Sequence, residues 1–170
     1  MELPKRKSIR IPGYDYTACG AYFVTVCTQN RQKILSSIRR GGPCGRPLPV
    51  LTELGQIAET TLLDLEKRYP IQVDCYVIMP DHIHAIFLLT EDRAAARAAP
   101  TLDRIVGAYK SMVIHAWRSR CNERGQSMGK IWQRGFYDHI VRNEQDLAEI
   151  RLYIENNPAC WLEKHPAAHG

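Results

Sequence analysis

No two of the six cysteines (Cys19, Cys27, Cys44, Cys75, Cys121, Cys160) stand at C-x-x-C spacing, the pattern of structural zinc sites and thiol redox motifs. No apolar run is long enough to span a bilayer or reads as a signal peptide. Together these absences predict reduced thiols, a cytoplasmic protein and no membrane partner. No internal repeat is visible, which removes solenoid architectures. Acidic residues are missing from positions 29 to 49, where five basic side chains stand unopposed (Arg31, Lys33, Arg39, Arg40, Arg46). Residues 102 to 142 hold eight Lys and Arg against three Asp and Glu. Under a net charge of +5, such stretches suit a polyanion whose phosphates dominate affinity, and equally suit a solvated basic surface.

What is present fits one soluble globular domain over residues 1–170: 45% hydrophobic and 24% charged residues supply a core without disulfide staples. The most informative stretch runs from Tyr76 to Leu89, where two apolar runs flank a Pro80-Asp81 corner and a His82-Ile83-His84 pair. In an extended strand, side chains at i and i+2 leave the same face, so His82 and His84 can converge on one ion. Ile83, Ala85, Phe87 and Leu89 then face the other way. Imidazole ligates divalent transition metals well, although a strand also carries surface histidine pairs without function.

Around this stretch the pattern alternates strand and helix. Residues 1–13, with Lys5, Arg6, Lys7 and Arg10, read as a basic arm. Residues 21–28 read as a buried strand, and 39–49 as a flexible loop, because Gly41, Gly42, Pro43, Gly45 and Pro47 break regular structure. Thr52 caps a helix to about Arg68. In the strand 71–79, alternation puts Ile71, Val73, Cys75, Val77 and Met79 on one face. Residues 91–100 form a second loop. A helix follows from Thr101, with Leu102, Ile105, Val106, Tyr109, Val113 and Trp117 as its core stripe. Residues 121–130 read as loop, and 131–140 as an irregular strand. Asn143 caps the last helix, Asp146 answers the cap, and Pro158 stops it. On that helix Tyr153 and Asn157 lie one turn apart, which also suits a helix merely packed by its tyrosine.

Three motifs in sequence, Met79-Pro80-Asp81-His82-Ile83-His84, the Ile131 to His139 stretch and Tyr153-Ile154-Glu155-Asn156-Asn157-Pro158, make the chain resemble the REP-associated tyrosine transposases, single-tyrosine transposases of the HUH class. The resemblance spans Gly20 to Pro158. It implies an α+β fold, a ferredoxin-like or RRM-like antiparallel sheet with helices packed on one face. It also implies that His82 and His84 hold a divalent metal, Mg²⁺ or Mn²⁺, that Asn157 completes the metal site, and that Tyr153 is the nucleophile. His139 is a possible neighbour of the site. The expected reaction is attack of a tyrosine hydroxyl on a phosphodiester of single-stranded DNA hairpins or palindromic repeats, giving a 5′-phosphotyrosine. Lys5, Arg6, Lys7, Arg104, Lys110, Arg118 and Arg134 are candidate DNA contacts. A nucleoid-associated location follows from such a partner, with monomer and homodimer both open. The competing readings are a catalytically silent palindrome-binding protein of the same fold and a small zinc hydrolase, which lacks an evident third strong ligand.

Overall fold

A computed structural model of the chain describes residues 20–41, 45–90 and 101–165. The basic arm, with Lys5, Arg6 and Lys7, and the 91–100 segment lie outside the described residues. Among these residues six strands and three α-helices follow one another as β1 (Gly20–Cys27), β2 (Ser36–Arg39), β3 (Leu48–Leu51), α1 (Glu53–Leu63), β4 (Ile71–Ile78), β5 (His82–Leu89), α2 (Leu102–Glu123), β6 (Tyr137–Val141) and α3 (Glu144–Lys164). The main sheet has the order β4-β5-β1-β6 with every pairing antiparallel. Without the β2–β3 hairpin, this is the βαββαβ ferredoxin-like arrangement. The fold is therefore α+β, as the motifs imply.

Two apolar layers cover the sheet. Ile83, Ala85, Phe87 and Leu89 of β5 join Tyr22, Val24 and Val26 of β1 beneath α1 and α2, with Ile105, Val106, Tyr109 and Val113 facing them from α2. Each such side chain contributes about 1.5–3 kcal/mol through burial. On the opposite face Phe23, Val77, Met79 and Ile86 meet Ile154, Trp161 and Leu162 of α3. Two helices thus back the sheet, and the third lies across the face that carries the histidines.

Alternation along β4 departs from the simple pattern. A bulge between Val73 and Cys75 shifts the parity, so Ile71, Val73 and Ile78 pack under the backing helices whereas Cys75, Val77 and Met79 pack under α3. One inserted residue reverses every side chain beyond it. Residues 39–49 also differ from the expected loop. Their ends pair as the β2–β3 hairpin, with Arg39 opposite Leu48.

Helix α1 starts at the Thr52 cap, whose hydroxyl accepts from Gly55 N and reaches the Leu35 carbonyl at 3.0 Å. A Cβ on Gly55 would lie 2.0 Å from that carbonyl oxygen, so only glycine permits this approach. Helix α2 continues through Glu123, past the expected start of the loop at 121, because Cys121 is buried. Helix α3 runs through Pro158 rather than ending there. Proline leaves the Ile154 carbonyl without its i+4 donor, but burial of Trp161 and Leu162 one turn further on outweighs that local loss.

Candidate active site

Register brings the site together. His84 stands opposite Thr25, and His82 opposite Cys27, so both imidazoles emerge from the α3 side of the sheet with ring centroids 4.5 Å apart. Both residues are buried, as is Asp81. The Asp81 carboxylate accepts a 2.5 Å hydrogen bond from His82 Nδ1. Burial works to raise the pKa of Asp81, but the bond and charge of His82, with Arg31, outweigh it and hold the carboxyl below its usual range. An ionised carboxylate only accepts, so this bond uses a proton on His82 Nδ1 and leaves Nε2 as the ring nitrogen not engaged by Asp81. His84 Nδ1 lies 2.8 Å from Thr25 Oγ1. Burial, assisted by the charge of His82, pushes the pKa of His84 down to about 3, so this imidazole is neutral near pH 7.

Helix α3 lays Tyr153 over the pair. Its hydroxyl is 3.5 Å from His84 Nε2, its ring meets His84 at 5.3 Å between centroids, and Phe23 packs edge-on against it. The tyrosine is nevertheless 53% exposed, which leaves the hydroxyl open to a large substrate. Asn157, one turn further along, is buried. No cluster of three His, Cys, Asp or Glu side chains gathers among the described residues. The two imidazoles are the candidate metal donors that the structure brings together, ring centroids 4.5 Å apart, and imidazole suits divalent transition metals.

The other expected residues have different settings. His139 shares the site face, since it pairs with Phe23, but its Nε2 bonds to Asp146 at 3.1 Å and ties β6 to the first turn of α3. Asp146 also accepts from Arg142 N instead of returning to the Asn143 cap, while Asn143 Oδ1 accepts from Asp146 N at 2.9 Å. Lys110 is not a free phosphate contact: its ammonium donates to the carbonyls of Gln133, at 3.0 Å, and Gly135. Burial also lowers its pKa. Arg104, Arg118 and Arg134 are exposed, and the first two belong to α2, behind the sheet. Sequence reasoning missed Arg151 and Asp74. Arg151 donates to both Asp74 oxygens, at 2.7 and 2.5 Å, and clasps α3 to the bulge of β4. No spacing rule finds this pair, because the bulge aims Asp74.

An antiparallel ferredoxin-like sheet thus bears paired histidines, and a helix presents a tyrosine to them. Residues 16–157 match the family model described as "Transposase IS200 like", and the chain belongs to that family. It is 24% identical to the REP-associated tyrosine transposase of Escherichia coli K12, over 88% of this chain and 73% of that protein. An uncharacterised Haemophilus influenzae protein is 29% identical over 92% of this chain and 89% of its own length. A solved structure described as a REP-associated tyrosine transposase bound to a REP hairpin shares the fold, with TM-score 0.62 and 21% identity over 89% of this chain and 74% of that chain. Among the described residues no helix is long and apolar enough to cross a membrane.

Proposed function

We propose that the chain is a metal-dependent endonuclease and strand transferase for single-stranded DNA, acting at or near palindromic repeats through a 5′-phosphotyrosine. The observation that carries this reading is the Tyr153 hydroxyl 3.5 Å from His84 Nε2, across 69 residues of sequence. Catalytic groups from distant segments converge at such distances when geometry serves a reaction.

In the proposed step, the Tyr153 hydroxyl oxygen forms a bond to phosphorus and the bond from phosphorus to the upstream O3′ breaks. The phenolic proton is released to water, and the departing 3′ oxygen takes up a proton. Because the phosphotyrosine bond retains the phosphodiester energy, attack by another 3′-hydroxyl rejoins strands without ATP. His82 and His84, through Nε2, and Asn157, through its amide oxygen, are the residues to hold Mg²⁺ or Mn²⁺. Bound there, such an ion would supply Lewis-acid polarisation of the scissile phosphate and charge stabilisation at the leaving oxygen. Asp81 and Thr25 hold the two rings in orientation. The hairpin relative named above supports DNA hairpins as the substrate class.

The test incubates purified protein and Mg²⁺ or Mn²⁺ with labelled hairpins copied from palindromes beside the gene. Wild type is expected to give a denaturant-stable protein–DNA adduct. Tyr153→Phe should abolish it while binding persists, and chelation should abolish it too. Hairpin binding by wild type without any adduct would support the silent palindrome-binding protein instead.

A further inference from the structure

The turn between β1 and β2 carries two cations to the histidines, and its backbone is held there at a cost. Asn30 and Arg31 both have positive φ, 53° and 54°, a left-handed conformation that non-glycine residues seldom adopt, least of all in succession. Strain of this kind persists only where surrounding bonds over-determine it, and it concentrates at functional sites. Here Thr28 N and Thr28 Oγ1 both donate to the Asp81 carbonyl, at 2.9 and 3.0 Å. Gln29 N donates to the Ile131 carbonyl and Leu35 N to the Pro80 carbonyl. The turn is thus clamped to the same corner that presents His82.

Clamping puts Arg31 beside Asp81, but not in its grip. The guanidinium is 3.7 Å from Asp81 Oδ1, too far for a hydrogen bond, and that oxygen already serves His82. Its side chain is 53% exposed. Lys33, two residues on, places its ammonium 5.6 Å from the Trp161 ring centroid, and Trp161 is 6.2 Å from His82. Both cations therefore flank the His82 end of the site. Tyr153 occupies the other end, against His84 and Phe23. Along the strand the order is Arg31 and Asp81, His82, His84, Tyr153.

We propose that Arg31, with Lys33 beside it, binds the DNA phosphate on the 5′ side of the scissile bond. This rests on the strand-transfer reading for its polarity. In an in-line displacement the leaving oxygen lies opposite the nucleophile. With Tyr153 at the His84 end, the departing 3′-ended strand extends toward the His82 end, where the two cations wait. A guanidinium with free donors matches a phosphate in two parallel hydrogen bonds, whereas a lone lysine offers only a point charge.

A bland role for Arg31, steadying Asp81 and through it His82, predicts a loss that is indifferent to DNA charge. The two are separated by measuring hairpin affinity in the Tyr153→Phe protein, with and without Arg31→Ala, on DNA carrying one neutral methylphosphonate stepped through the flanks. On native DNA, Arg31→Ala should weaken binding about tenfold to hundredfold, the size of one charge-assisted bond, and reduce the slope of log affinity against log salt by about 1. At one position on the 5′ side the methylphosphonate should weaken the parent equally and leave the Arg31→Ala protein unaffected. Arg31→Lys should recover the salt slope but only part of the affinity. Persistence of the Arg31→Ala loss at every methylphosphonate position overturns the contact, and coupling on the 3′ side overturns its polarity. These readouts need no cleavage. Coupling without any wild-type adduct would sink the strand-transfer reading and leave the phosphate contact standing.

Discussion

Asp81 and Thr25 decide what the two histidines can do. The hydrogen bond between His82 Nδ1 and Asp81 orients that ring and leaves Nε2 unengaged by the carboxylate, and the Thr25 contact fixes the ring of His84. Outer partners of this kind typically support metal affinity by a factor of about 10 to 100. Asp81→Asn is therefore expected to weaken Mn²⁺ binding by about that factor while leaving the fold intact, as read by titration calorimetry beside a thermal melt. Unchanged Mn²⁺ affinity would remove Asp81 from the account. The His-x-His spacing is legible from sequence because a strand has a fixed period of two. The carboxylate one residue earlier is not, because a turn at Pro80-Asp81 leaves the direction of its side chain undetermined.

At the scale of elements, α3 is positioned from both edges of the sheet. His139 of β6 holds Asp146 in its first turn, and Asp74 of β4 holds Arg151 two residues before Tyr153. From Tyr153 the helix runs eight residues, about 12 Å, to Trp161 beside His82. The helix cap at Asn143 can be read from sequence, but passage through Pro158 cannot. Local propensity argues for a stop there, and only the tertiary burial of Trp161 and Leu162 reverses it. Helix α2 makes a parallel case. Lys110 looks like a surface cation off the apolar stripe, yet it fastens α2 to the Gln133–Gly135 segment. Lys110→Met should lower unfolding free energy by about 1–3 kcal/mol, the cost of leaving partly buried carbonyls unpaired, with hairpin affinity unchanged. Urea denaturation alongside a binding titration checks this, and a loss of affinity without a loss of stability would return Lys110 to the DNA surface.

For the whole molecule, the sheet separates two tasks. One face, under α1 and α2, is core, with Tyr109, Phe87 and Ile105 fully enclosed. The other presents His82 and His84 beneath a single helix, which brings Tyr153 to them. The fold class came from the family resemblance, with which the alternation of strands and helices is compatible, and the strict apolar set of Ile83, Ala85, Phe87 and Leu89 told which face of β5 is inward. The bulge at Val73 and Cys75 escaped, since one inserted residue leaves composition unchanged while reversing parity. Which face α3 covers was legible only through the family resemblance that sets Tyr153 beside the histidines, because amphipathicity gives a helix a buried stripe without naming its partner. The docking of that helix brings Tyr153 within 3.5 Å of His84 Nε2, and on that contact the proposed nuclease reading rests.

The central claim is that Tyr153 is the nucleophile. Its most direct test is to digest the trapped protein–DNA adduct with protease and nuclease and locate the residual nucleotide by mass spectrometry. The account predicts a nucleotide joined through its 5′-phosphate to the peptide containing Tyr153, at the tyrosine oxygen. Attachment at any other residue, or through a 3′-phosphate, would contradict it.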